Sequence, residues 1–140
     1  SYVRTIDGVT IGVWHILPSK LLSNTTSETQ TDSSELLGNG EPIFVYMHGN
    51  SGNRGTSHRL ELYRLLQRND FHIVTFDYRS YGDSSPVEPS ETGLVNDSRH
   101  VYDWVKLKAG HSPIFFWGHS LGSGVASHLL DILEEDKEEI

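Results

Sequence analysis

Residues able to do chemistry are concentrated where a serine stands between two glycines, in Gly118-His119-Ser120-Leu121-Gly122. The apolar run Ile114-Phe115-Phe116-Trp117 leads into this stretch, and an amphipathic segment follows at once. That order predicts strand, sharp turn and helix, with Ser120 at the tip of the turn. Gly118 and Gly122 flank it because a side chain at either position would collide when strand and helix close on each other. The serine's own backbone is then strained, and the strain holds its hydroxyl out above the sheet edge, where it suits nucleophilic attack. Glycine and serine also mark ordinary turns, and the elements on either side separate the two readings.

Attack on an acyl carbon creates an oxyanion, and two backbone N–H donors must point to where that charge appears. The residue after the nucleophile supplies one, here Leu121, aided by the positive end of its helix. The turn after the apolar run Ile43–Met47 supplies the other, from His48-Gly49-Asn50. Asn50 is the expected donor, Gly49 lets the backbone come close, and His48 shapes the turn. One such donor is typically worth about 3–4 kcal/mol of transition-state stabilisation. The stretch His48–Gly55 could instead cradle a phosphate, but it has neither the Lys-Ser/Thr of a P-loop nor G-x-G-x-x-G spacing.

Tyr2–Ile6 and Val9–Leu17 predict a hairpin around Asp7-Gly8, a strong two-residue turn signal. Residues 19–40 change to Ser, Thr, Asn, Gln and acid without sustained period, and read as a mobile surface loop. Ile43–Met47 is continuously apolar, as expected of a strand buried on both faces of a parallel sheet. A helix is expected over Ser57–Arg68, with Leu62, Tyr63, Leu65 and Leu66 facing inward. The strand Phe71–Phe76 comes next, and Asp77–Ser84 follows it. A second helix is expected over Ser90–Lys108, with Leu94, Ser98, Val101, Tyr102 and Val105 on one stripe. Residues 121–135 form the last helix. Alternating strands and helices imply an α/β fold whose mostly parallel sheet has helices on both faces. Both glycine-containing turns then lie at the carboxyl ends of strands, where such sheets place ligands.

The 140 residues fit one domain with a modest core. A formal charge of −8 argues against a nucleic-acid partner. There is no cysteine, hence no disulfide or thiolate zinc site, and the redox compartment stays open. No apolar run approaches the roughly 20 residues of a membrane span. The chain starts at Ser1 rather than Met, so it is expected to be a piece of something longer. Asn24-Thr25-Thr26 and Asn96-Asp97-Ser98 fit the glycosylation pattern, which so short a motif meets by chance.

His48-Gly49-Asn50, Asp77-Tyr78-Arg79 followed by Gly82-x-Ser84, and Gly118-His119-Ser120-Leu121-Gly122 together resemble the α/β-hydrolase superfamily. The longer stretches His58–Tyr63 and Trp117–Val125 are similar to its membrane-associated lipases acting on monoacylglycerols and lysophosphatidylserine. The resemblance implies the N-terminal portion of that fold, a β-hairpin then βαβαβα, with the C-terminal strands absent. It also implies a Ser-His-Asp hydrolase of lipid esters with no metal or organic cofactor. Its place would be at a membrane, the endoplasmic reticulum included, reached through segments outside these residues. In that superfamily the acid and then the histidine follow the serine well downstream, and only 20 residues follow Ser120. His119 adjoins the serine but is expected to point away, and His128 reads as a helix-face residue. His15, His58, His72, His100 and His111 lie far from Ser120 in sequence and read as surface or core. The chain is therefore expected to carry the nucleophile and oxyanion half of the machinery without its acid and base.

Two function classes follow: an ester hydrolase completed in a longer protein, or a non-catalytic α/β module that binds an acyl chain or a protein partner. Asp77 and Arg79 read as a structural loop propping the oxyanion turn, Asp97 and Asp103 as solvated faces, and Trp14, Trp104 and Trp117 as core. The strand at 114–117 is expected at a sheet edge, open to pairing with another copy.

Overall fold

The computed structural model describes residues 1–22, 33–49 and 52–138. Asn50 and the Asn24 triplet lie outside them. A five-stranded mixed sheet runs in the order β1-β2-β4-β3-β5. Strand β1 (Tyr2–Arg4) pairs antiparallel with β2 (Thr10–Ile16), and Gly8 between them has φ 83°, the left-handed conformation this turn needs. β2 pairs antiparallel with β4 (His72–Phe76), while β3 (Ile43–Met47) lies parallel to both β4 and β5 (Ile114–Gly118). The parallel strands are those with continuous apolar runs. The register sets Tyr46 beside Thr75 and Met47 beside Gly118, so β3, β4 and β5 end together at one edge.

Helices α3 (Glu91–Ala109) and α4 (Leu121–Glu138) cover one face of the sheet, where Val45, Met47, Val74, Phe76, Val101, Val105, Val125 and Leu129 form the main core. Among the described residues the other face is covered by α2 (Ser57–Arg68), over a smaller cluster of Tyr46, Tyr63, Leu66 and Ile73. Ser90 caps α3, its Oγ accepting the Gly93 N–H at 3.0 Å.

The unequal cover explains two corrections. Trp117 is 40% exposed and Phe115 49%, because β5 ends the sheet and α2 does not reach over it; Phe115 stacks on Phe44 and Trp117 meets it edge-on. Leu65 is exposed because Arg59, Tyr63 and Leu66, at helical spacing, occupy the face of α2 that meets the sheet. Trp14 is also 40% exposed, held under the Arg54 guanidinium at 4.8 Å rather than in the core. The polar stretch 19–40 is more ordered at its ends than its composition suggests. Ser19–Leu22 is a short helix (α1), and Ser33–Gly38 is a 3-10 helix that buries Leu37. Asn96-Asp97-Ser98 lies inside α3, with Ser98 buried and its Oγ bonded to the Leu94 carbonyl. An acceptor site needs an exposed loop, so this match is a chance one.

His72 is fully buried at the start of β4, its Nε2 donating to Asn39 Oδ1 and its Nδ1 accepting from His15 Nε2, both at 2.9 Å. A proton on Nδ1 would replace that acceptor with a second donor. Burial pulls the ring from 6.5 down to about 4. Between those values the unfolded chain binds a proton that the folded chain does not. The stabilisation is therefore complete above pH 6.5 and is lost as pH falls toward 4, by up to ~3 kcal/mol. Thermal melts of the protein and of His72→Gln across this range test it; parallel curves would show that His72 is not the titrating group.

Candidate functional site

At the end of β5 the chain turns through Ser120, whose φ of 54° is rare for a residue with a side chain and costs on the order of 1 kcal/mol. Only glycine fits on either side. A Cβ at Gly118 would lie 2.5 Å from the Gly122 carbonyl oxygen, and a Cβ at Gly122 would lie 1.9 Å from that of Met47. The start of α4 thus rests on the end of β3. The turn is further fixed by His119 N–H on Met47 O at 3.1 Å, Gly122 N–H on His119 O at 2.9 Å and Ser123 Oγ on Ser120 O at 2.6 Å. Ser120 is exposed, and Leu121 opens α4, where backbone N–H groups have no intrahelical acceptor. The 18-residue helix adds its positive end at that point.

The turn after β3 lies against this elbow. A Cβ at Gly49 would stand 3.2 Å from His119 Nδ1 and 3.7 Å from Ser120 Cβ, so glycine permits the approach. His48 is buried: its Nδ1 donates to Gly49 O at 2.7 Å, and its own carbonyl accepts the Tyr78 hydroxyl at 3.0 Å. Burial holds the Tyr78 phenol well above its usual pKa, so it remains a neutral donor.

Asp77 organises the same region from the end of β4. It is fully buried, accepts Arg54 N–H at 2.9 Å and Arg54 Nη1 at 2.6 Å, and stands 2.9 Å from His48 Nε2 without an aligned hydrogen bond. Arg54 Nη1 also reaches Asp83 at 2.6 Å, and Tyr2 donates to the same carboxylate at 2.7 Å. The hydrogen bond from Arg54, followed by that from Tyr2, takes the Asp83 carboxyl down to about 2. Arg59 Nη1 holds the Asn53 carbonyl at 2.6 Å. The turn is thus gripped on both sides of residues 50 and 51. The expectation for Asp97 requires correction. It is fully buried and takes Arg79 N–H at 2.8 Å, together with the Arg79 guanidinium, which also reaches Asp7. A buried arginine needed a carboxylate, and helical spacing did not reveal it. Asp103 is exposed and pairs with Arg99, as a solvated face does.

The histidines lie apart from the serine hydroxyl, and among the described residues none hydrogen-bonds to it. His119 is exposed and turned toward Gly49 and His58, the two imidazole rings 6.5 Å apart. His128 is exposed beside Glu91, 3.3 Å away. His100 joins Ile6 N–H and Asn96 O, and His111 is exposed. Sequence reasoning missed the grip of Arg54 and Arg59 on the turn, and the Tyr78 hydroxyl on His48. Pattern gave no signal for them, since a lone arginine in a loop reads as solvated. Among the described residues no group of three His, Cys, Asp or Glu is placed to hold a metal ion, and no helix is long and apolar enough to cross a membrane.

Residues 42–137 match the family model of the alpha/beta hydrolase fold. Over 129 residues the chain is 46% identical to lysophosphatidylserine lipase ABHD12 of Gallus gallus, covering 92% of this chain and 34% of that protein. It is 41% identical to protein ABHD12B of Homo sapiens, with 96% and 37% covered. The chain thus spans about a third of the length of these curated relatives. Among solved structures, Est1E of Butyrivibrio proteoclasticus, with ferulic acid bound, superposes with a TM-score of 0.74 at 16% identity, covering 96% of this chain and 48% of that one. The family match runs from the start of β3 through most of α4, and this chain belongs to the α/β-hydrolase fold family.

Proposed function

We propose that these residues are the nucleophile and oxyanion half of a serine hydrolase of lipid esters, a lysophospholipase or acylglycerol lipase once completed by an acid and a histidine. The observation that carries the reading is Ser120 at φ 54° between two glycines that no side chain could replace, at the first turn of α4. A turn that merely reversed the chain would not need a strained serine there. The named activity of the ABHD12 relatives, on lysophosphatidylserine, supports the lipid substrate, and a lipid substrate in turn supports action at a membrane.

In the reaction a base removes the Ser120 Oγ proton as the oxygen attacks the ester carbonyl. The oxyanion forms against the Leu121 N–H and a second donor from the turn after Met47, for which Asn50 is the candidate. The alcohol then leaves with the proton, and water releases the acid by the same route. His48, Gly49, Gly118, His119 and Gly122 support this geometry. A histidine base is what these residues lack, because none touches the Ser120 hydroxyl. That observation favours a second reading for the 140 residues alone, a module that holds an acyl chain or a protein partner without turning it over.

Labelling with a fluorophosphonate separates the two. The 140-residue chain is expected not to label, and a form extended at its C terminus to the length of the relatives is expected to label at Ser120 and to lose labelling in Ser120→Ala. Labelling of the short chain would place a base among His48, His119 and His128. An extended form that stays unlabelled would refute the hydrolase.

A further inference from the structure

The turn after β3 runs on toward α2 through Arg54, a charged residue that is itself buried. Its Nη1 donates to two carboxylates at once, Asp77 Oδ2 and Asp83 Oδ1, each at 2.6 Å. Its backbone N–H donates to Asp77 Oδ1 at 2.9 Å. We propose that Arg54 is a positioning residue for ester hydrolysis: anchored between Asp77 and Asp83, it fixes the backbone of the turn that supplies the second oxyanion donor. The inference rests on the hydrolase reading above and adds to it what holds that donor in place.

Asp77 follows β4 directly and is fully buried, so it is a fixed point of the sheet. Arg54 ties the turn to that point, and its guanidinium lies over Trp14 of β2 at 4.8 Å. Asp83 in turn accepts the Tyr2 hydroxyl of β1 at 2.7 Å. One end of the turn is thereby tied to β1, β2 and the end of β4. At the other end Gly49 rests against His119 and Ser120. A shift at Arg54 therefore passes along a short backbone to the elbow, and a misplacement of about 1 Å near the reacting atoms can cost 10²-fold in rate.

Two glycines keep the place of this bridge clear. A Cβ at Gly12 of β2 would lie 2.2 Å from Asp83 Oδ1 and 2.8 Å from Arg54 Nη1. A Cβ at Gly82 would lie 2.3 Å from Asp77 Oδ2. Glycine weakens a strand interior and marks a close approach there. What approaches Gly12 is the bridge. Its chemistry is that of a point charge, because a single nitrogen meets both carboxylates. A lysine ammonium can take that place, which a clamp using both guanidinium nitrogens would not allow.

The test compares Arg54→Met, Arg54→Lys and Gly12→Ala with the parent in the extended form, with kcat counted per site titrated by fluorophosphonate so that misfolded protein drops out. Arg54→Met is expected to lower kcat by about 10²-fold with KM within about threefold, the pattern of a lost transition-state contact. Arg54→Lys is expected to recover kcat to within ~5-fold of the parent. The Gly12→Ala methyl presses on side-chain ends rather than backbone, so this variant is expected to fold and to lose about 10-fold in kcat, and it decides the matter if Arg54→Met does not fold. An unaltered kcat per site in Arg54→Met or in Gly12→Ala would show that the bridge serves the fold alone. Arg54→Lys no better than Arg54→Met would show that a single bridging nitrogen is not what holds the turn. A parent that hydrolyses no ester would instead defeat the hydrolase reading. Hydrogen exchange of the backbone amides at 48–54 then decides the positioning, with exchange at least ~10-fold faster in Gly12→Ala expected and unaltered exchange overturning it.

Discussion

Ser120→Ala in the extended form is expected to lower kcat for ester hydrolysis by about 10⁶-fold, close to the loss on removing an activated serine elsewhere. At about 1.4 kcal/mol per tenfold this amounts to ~8 kcal/mol of transition-state stabilisation, far above any effect on folding. The hydroxyl is exposed, and the hydrogen bond from Ser123 Oγ ends on the Ser120 carbonyl, which the substitution keeps. Alanine at φ 54° retains the strain. Glycine does not, so Ser120→Gly is expected to be equally inactive and about 1 kcal/mol more stable. Steady-state kinetics and thermal melts of the two variants read both effects. Activity within tenfold of the parent in Ser120→Ala would remove the serine from the mechanism. A Ser120→Gly variant no more stable than Ser120→Ala would remove the strain.

Gly122→Ala is expected to cost ~3 kcal/mol of stability, the upper end for overpacking, and to lower the midpoint by roughly 10 °C. The added methyl would lie 1.9 Å from Met47 O, 2.6 Å from its carbon and 3.0 Å from His48 O. These are backbone atoms at the end of a central strand, and no rotamer can relieve the contact. Relief requires α4 to move away from β3, which takes the Leu121 N–H with it. Activity of the extended form should therefore fall along with stability. Gly124→Ala, two residues further along the same helix, is the control, since its methyl meets open space. Equal midpoints for the two variants would mean that helix and strand are not in contact as described.

The elbow was legible in the sequence because its chemistry is local. A strand, two glycines and a helix within ten residues leave the serine one backbone conformation, and the positive φ follows from that order. The α3 stripe of Leu94, Ser98, Val101 and Val105 was legible for the same reason, since helical period alone decides which side faces inward. The bounds of α2 could be read from the sequence, but the exposure of Leu65 could not, because it depends on how much sheet one helix covers. Trp117 and Trp14 show the same limit: an aromatic residue in a strand is pattern for a core, and the missing cover over β5 is a property of the whole layer.

Charge was the least legible. Asp97 on a helix reads as solvated until Arg79, 18 positions earlier, is found buried against it. Asp77 reads as a structural residue propping the turn after β3, but its partner gave no signal: Arg54 brings it both a backbone N–H and a guanidinium. Residue types and short-range spacing determined the strained serine turn, its glycines and the class of fold. Tertiary structure alone decided the ion pairs that hold the turn after β3 and the exposure of Leu65, Trp14 and Trp117. Those depend on distances between segments far apart in the chain, which no local pattern records.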